Sequence, residues 1–242
     1  MSQLRIQDAR AVAYRALCIG ALLKRGELEF SVQGCLNDAD AIYHASLNQW
    51  LIDEKILPHL SETEQFLLKK PFGTWSERTL TMVSWRTEAL GTMLWSLNRL
   101  DKLPSYDTQF EANDILAPLD MLQPTIDFIW LASLRADGDL QQSRDQAELW
   151  NWRSRARELQ RMGVRPPEGV SFNEIIRFTT ERAHRNGHIP SPIQDDFPVF
   201  NKSYAYLNPD EYALLSSIAY ERYSAISWIC EISSEWEGIH ID

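Results

Sequence analysis

Apolar residues recur at steps of three and four over most of this chain, a spacing that predicts helices. Residues 3–25 carry Val12, Ala13, Ala16, Leu17 and Leu23 on one stripe, with Gly26 placed as a C-cap. A second helix has Asn37 as its cap and Asp38 and Asp40 in its first turn, where negative charge meets the positive end of the helix dipole. It carries Ile42, Leu47, Leu51 and Ile52 up to Pro58. Ser61 and Glu64 form the capping box of a short third helix that Pro71 stops. The longest stripe, Leu80, Val83, Thr87, Leu90, Leu94 and Leu97, predicts a central helix from Ser76 to Leu100 with more than one neighbour, closed by the run Asp101 to Pro104. Further helices are expected over 125–135 and 139–162, separated by a turn at Asp137-Gly138. The second of these carries Leu149, Trp152, Ala156 and Leu159, and the run Arg165 to Gly169 ends it.

Another capping box, Ser171 with Glu174, opens a helix that closes at Asn186-Gly187. Pro190, Pro192 and Pro198 then forbid a helix across 188–208, whereas Phe197, Val199, Phe200, Tyr204 and Tyr206 argue for order, so a short hairpin or a surface-hugging loop is expected near 197–207. Asn208, Pro209 and Glu211 start a last helix to about Ile232, with Tyr212, Leu215, Ala219, Ile226 and Ile229 inward. The expected fold is mainly α: a bundle-like, multi-helix single unit with one long ordered Pro-rich loop. The break Lys69 to Gly73 separates an N-terminal helical layer, 1–70, from a longer helical region, 71–242, and no internal repeat is visible.

Composition adds a core and a charge. The 242 residues are 44% hydrophobic and include nine Trp, enough to bury a substantial core. A formal charge of −10 opposes non-specific binding to nucleic acid or to anionic membranes and favours a basic protein partner. Cys18, Cys35 and Cys230 lie far apart and are odd in number, which reads as reduced thiols in a cytoplasmic protein. The apolar run 16–23 is short, closed by Lys24-Arg25 and without a small-x-small cleavage site, so neither an export signal nor a membrane span is expected.

Common catalytic and nucleotide-binding signatures are missing: there is no G-x-S-x-G, phosphate loop, H-E-x-x-H or calcium loop, and no cofactor is expected. Glu181, His184 and His188 make only half of a helical metal site, and a histidine stabilised by the helix C-terminus is the plainer reading. Arg153, Arg157 and Arg161, with Arg155 and Arg165 nearby, give a basic stripe that Glu148 and Glu158 interrupt. Nucleic-acid binding through it is disfavoured by the net charge.

Four charges stand inside apolar helical texture: Arg86 and Glu88 beside the central stripe, and Glu221 and Arg222 between Ala219 and Ala225. With Arg153 in Leu-Trp-Asn-Trp-Arg, they demand partners, because an unpaired buried ion is costly. A structural network between helices is one reading. A ligand pocket is the other, with Asp196, Lys202 and Tyr204 of the 188–208 loop supplying a carboxylate, an ammonium and a phenol at its mouth.

The motifs Trp85-Arg86-x-Glu88-Ala89-Leu90, Leu94-Trp95-x-Leu97, Leu149-Trp150-x-Trp152-Arg153 and Asp196-Phe197 with Lys202-x-Tyr204 occur in order along the chain. Ser217-Ile218-Ala219-x-Glu221-Arg222, Ala225, Trp228 and Trp236-x-x-Ile239-x-x-Asp242 follow. Across about residues 75–242 the chain resembles the bacterial family catalogued as domain of unknown function 4272. Tyr223, Ser227 and Gly238 depart from the resemblance, which expects His, Asn and an acidic residue there. The resemblance implies a helical intracellular protein and brings no activity, cofactor or catalytic residue. The first functional expectation is a non-enzymatic interaction module, of accessory or immunity type, for a basic protein partner. The alternative is a small-molecule or anion-binding protein, or an enzyme, with a polar pocket between the 188–208 loop and the core helices.

Overall fold

The computed structural model describes residues 5–32, 38–166, 169–230 and 236. Nine α-helices occur among them: α1 (Ala9–Val32), α2 (Asp38–Asp53), α3 (Glu62–Lys69), α4 (Glu77–Ser96), α5 (Ala112–Leu116), α6 (Ile126–Trp130), α7 (Asp137–Arg161), α8 (Phe172–Arg185) and α9 (Pro209–Ile229). A two-residue antiparallel pair, β1 (Pro198–Val199) with β2 (Lys202–Ser203), is the hairpin expected near 197–207. The fold is mainly α.

The long helices pack in a row, α1 on α4, α4 on α9, and α9 on α7, with α8 on α7 and the smaller α2, α3 and α6 against α1. One hydrophobic cluster runs through the row from Val12 to Cys230. The N-terminal layer thus supplies α1 directly to the core of the longer region. The middle of α4, from Ala89 to Leu94, is buried on every side, as befits a helix with neighbours all round. Thr92 and Ser96 survive there because each hydroxyl donates to the carbonyl four residues back.

Several boundaries differ from those the sequence pattern predicts. Helix α1 continues past Gly26 because that glycine is a close-approach residue, not a cap: a Cβ there would lie 3.3 Å from Val83 Cγ1 of α4. Helix α2 stops at Asp53, since Lys55 turns to a φ of 57° and Leu57–His59 forms a separate 3-10 turn. Its Ile42 and Ile52 face solvent, leaving Leu47, Trp50 and Leu51 inward. The expected cap Asn37, together with Cys35 and Ile232, lies outside the described residues. Helix α4 ends at Ser96 in a Schellman turn, with Asn98 at a φ of 58° and Arg99 N–H reaching Leu94 O. The polar stretch after it holds α5, too short at five residues for periodicity to reveal, and only Ile126–Trp130 of the expected 125–135 is α-helical. Asp137-Gly138 is not a turn but the first turn of α7, where Asp137 and Asp139 complement the dipole. At its other end Gly163, at a φ of 70°, closes α7, and Leu159 is exposed.

The 188–208 segment contains two successive two-residue turns. Ile193 and Asp196 exchange backbone hydrogen bonds around Gln194 and Asp195, and Val199 pairs with Lys202 around Phe200 and Asn201. All four central residues have φ between 48° and 58°, the primed geometry whose twist suits a hairpin. For Gln and Phe this conformation costs roughly 1–2 kcal/mol each, so contacts elsewhere must hold the loop. No helix among the described residues is long and apolar enough to cross a membrane.

Candidate functional site

Among the described residues the buried charges number five arginines and five carboxylates, and they pair one to one. The pairs are Arg15–Glu64, Arg25–Glu29, Arg86–Glu221, Arg153–Asp196 and Arg222–Glu88. Four of them share a design: the guanidinium or the carboxylate, or both, also binds backbone groups of a connecting segment. Such segments carry backbone donors and acceptors that no helix satisfies, and a buried ion pair supplies partners for both kinds at once.

Arg25, with no exposed surface, donates to Glu29 at 2.8 Å and to the carbonyls of Lys70 and Pro71 at 3.1 Å each, and touches His44 Nε2. Glu29 in turn accepts the amides of Gly73 at 2.9 Å and Trp75 at 3.0 Å. The break at Lys69 to Gly73 is therefore fastened to α1. Arg15 similarly takes His59 O at 3.0 Å, while its partner Glu64 takes Ser61 N at 2.7 Å. His44 and His59 are held below the ordinary histidine pKa by burial first, then by the guanidinium beside each, Arg25 and Arg15.

Between α4 and α9 lie two pairs. Glu88 receives Arg222 Nε at 2.8 Å and the amide of Phe110 at 2.9 Å. Arg222 spends its remaining donors on Pro104 O at 2.7 Å, Ser105 O at 3.3 Å and Thr108 O at 2.8 Å, and sits between the rings of Tyr106 and Phe110. One turn beyond Glu88, Gly91 leaves the space that the Phe110 ring fills; a Cβ there would overlap it. Arg86 meets Glu221 at 3.1 Å and faces the Trp236 ring. Burial raises the Glu221 pKa, with Arg86 pulling against it.

The remaining pair holds the strained loop. Arg153 on α7 grips Asp196 with both Nε and Nη2 at 2.7 Å, and its guanidinium stacks 4.4 Å from the Tyr204 ring centroid. Asp196 also accepts Phe197 N at 2.8 Å, Ala205 N at 2.9 Å and Ser203 Oγ at 3.2 Å. The Tyr204 hydroxyl and Ser154 Oγ are 2.7 Å apart, and burial lifts the phenol's pKa above its usual value. Arg157, next on the basic stripe, donates to Tyr204 O at 2.7 Å and Leu207 O at 2.6 Å, and Arg161 lies over Tyr212. Arg153 and Arg157 of the stripe thus seat this chain's own loop.

The eight candidate residues thus fall into three places. Arg86, Glu88, Glu221 and Arg222 form the α4–α9 layer; Arg153, Asp196 and Tyr204 form the loop clamp. Lys202 stands apart, half-exposed and bonded to Glu211 of α9 at 2.7 Å. A single pocket over Arg153 and Glu221-Arg222 is not what the geometry builds, because α9 turns its charged pair toward α4 and the 104–110 segment, not toward the loop. No group of three or more His, Cys, Asp and Glu converges as a metal site among the described residues, and His184 Nδ1 lies 3.3 Å from Ile189 O. The thiols of Cys18 and Cys230 are buried, which pushes their pKa values up to about 12 and about 11.

One opening adjoins the clamp. A groove of about 510 Å³ between α7, the first turns of α8 and the loop is lined by Arg153, Gln160, Arg177, Asp195, Asp196 and Tyr206, among others. Arg153 is 1% exposed, and its Nη1 has no hydrogen-bond partner among the described residues. Of the groove, sequence reasoning identified Arg153 and Asp196 but not Arg177, Gln194 or Asp195, which carry no periodic signal. It also missed the N-terminal pairs, for which Arg25 and Glu29, four apart within an apolar helix, were the available sign.

No curated protein and no solved structure matches the chain. The sequence model of domain of unknown function DUF4272 matches residues 1–174. That span takes in the motifs around Trp85 to Leu97 and Leu149 to Arg153, leaves out those after residue 174, and includes α1 to α3, on which the resemblance did not rest. With most of its length inside the match, the chain belongs to the DUF4272 family.

Proposed function

We propose that this protein is a non-enzymatic interaction module whose acidic surface engages a basic protein partner. The observation that carries the reading is the one-to-one pairing of the buried charges. Five arginines and five carboxylates cancel inside, so the formal charge of −10 is carried entirely by the remaining side chains. A surface of that sign steers a basic partner and repels nucleic acid. The interior also favours binding over catalysis. Oxygens of Glu29, Glu64, Glu88 and Asp196 are occupied by arginines and backbone amides of this chain, and the two buried thiols are too weakly acidic to serve as nucleophiles at neutral pH. An accessory or immunity-type role against a basic toxin is the specific form we favour, in a cytoplasmic setting.

The test is capture on the immobilised protein from extract of its native cells, at two ionic strengths. The expected outcome is retention of a basic protein that dissociates as salt rises past about 0.1 M, where the Debye length falls to ~10 Å. A retained partner that is acidic, or indifferent to salt, would refute the proposal.

A further inference from the structure

The apolar stripe of α4 is not covered along its whole length. Leu90, Leu94 and Leu97 are buried, whereas Leu80 and Thr87 are only half-buried. Those two, with Val83, line an apolar cleft shared with Leu23 and Phe30 of α1 and Leu116 of α5. Phe30 is 71% exposed, an apolar ring left in water at a place where apolar surface already collects. We propose that this cleft seats one amphipathic helix of a basic partner protein. The proposal rests on the reading of the acidic surface given above and names the place where that partner docks.

Shape argues for a helix. Leu23, Gly26 and Phe30 on α1, and Leu80, Val83 and Thr87 on α4, recur at steps of three and four, so each wall is two turns, roughly 10 Å, long. That length matches the anchors at i, i+3 or i+4, and i+7 by which an amphipathic helix enters a groove. Gly26 lets the two walls approach closely: a Cβ there would lie 3.3 Å from Val83 Cγ1. The volume of about 220 Å³ falls below the roughly 300–1,000 Å³ of small-molecule sites, which suits a few anchoring side chains better than a whole small ligand.

Charge selects the occupant. On the two walls, Arg25, Glu29 and Arg86 are paired inside the molecule, Lys24 bonds Glu27 at 2.8 Å, and the neighbouring Glu77 and Arg78 cancel in net charge. The α5 side has no such balance. Glu111 and Asp114 are exposed there, and from residue 103 to residue 134 the chain has five acidic residues and no lysine or arginine. A helix with an apolar face and basic residues toward α5 satisfies both the cleft and its charge. A second copy of this chain, at −10, or an anionic lipid surface would meet like charge.

The experiment is fluorescence anisotropy of the full chain with a labelled peptide of about 14 leucines and lysines patterned as an amphipathic helix, against a scrambled peptide of the same composition. The patterned peptide is expected to bind about tenfold more tightly or better, and more weakly as salt rises. Phe30→Ala and Ser84→Lys alter exposed side chains that line the cleft, so both variants should keep the wild-type melting temperature while losing about tenfold or more in affinity. Asp114→Asn should flatten the salt dependence. Equal binding of the two peptides, or wild-type affinity in Ser84→Lys, would overturn the proposal. Self-association of the chain that Ser84→Lys abolishes, read by sedimentation, would give the cleft to a second copy and overturn it as well. Capture from native extract separates the two claims: a basic protein retained equally by wild type and Ser84→Lys overturns the cleft and leaves the acidic-surface reading standing, whereas retention of no basic protein by either overturns both.

Discussion

Replacing Arg222 by Met keeps most of the side chain's length and removes its charge from between α4 and α9. The structure fixes what is lost: the 2.8 Å bond to Glu88 and the bonds to Pro104, Ser105 and Thr108. Glu88 has no exposed surface, so its carboxylate is left with the Phe110 amide alone. Stranding a buried charge in this way costs about 3–5 kcal/mol, a large share of the ~5–15 kcal/mol by which a domain is stable. For a chain of this size, that corresponds to a melting temperature lower by roughly 10 °C. Adding Glu88→Gln to Arg222→Met relieves the stranded charge, so the double variant should be more stable than the two single losses summed, by about 0.5–3 kcal/mol. It should not regain wild-type stability, because the 104–110 segment still lacks its partners. Urea titrations of the four proteins give the cycle. If Arg222→Met costs under ~0.5 kcal/mol, as exposed substitutions do, the pair is solvated and the reasoning fails.

Acidification provides a second perturbation. His44 and His59 have folded pKa values below 6.5, so the unfolded chain binds more protons in the window beneath that value; their contribution to stability is complete above it and declines as pH falls through it. Melting temperatures measured between neutral pH and mildly acidic pH should therefore drop, and His44→Gln, which keeps an acceptor for Arg25, should flatten the drop; an unchanged slope would contradict the neutral-imidazole contact. Two glycines of opposite kind should respond oppositely to alanine. Gly91→Ala forces the Phe110 ring aside and should destabilise by about 1–3 kcal/mol, whereas Gly138→Ala, in the first turn of α7 with open space around it, should stabilise by about 0.5–1 kcal/mol in chemical denaturation. Finally, the Cys18 and Cys230 peptides should resist alkylation in the native protein and react only after denaturation, as read by mass spectrometry; rapid native labelling would show that these thiols are not buried.

What the sequence made legible was whatever had a period or a local signature. The stripes of α1 and α4 mark helices whose faces are buried along several turns, and the boxes at Ser61, Ser171 and Asn208 close through side chains only three residues apart. Gly26 misled because a helical glycine and a C-cap glycine look alike in one dimension; the approach of Val83, from 57 positions along, decides between them. The charges of α4 and α9 stood out for being out of place on an apolar face, but their choice of partner did not. Glu88 and Arg222 are 134 residues apart, and the carbonyls that Arg222 satisfies belong to a segment without pattern. The groove was less legible still, since Arg177, Gln194 and Asp195 come together only through the docking of α8 and the two left-handed turns.

The account rests on buried ion pairs acting as fasteners for connecting segments, and native-state amide hydrogen exchange measures that directly. The amides of Gly73, Trp75, Phe110, Phe197 and Ala205 lie in connections between the long helices and donate to Glu29, Glu88 or Asp196. If the fasteners hold, these protons exchange only through large-scale unfolding, with protection approaching that of the helix cores, and Glu88→Gln selectively speeds Phe110. Exchange of these five amides at the rate of exposed loop amides would contradict it.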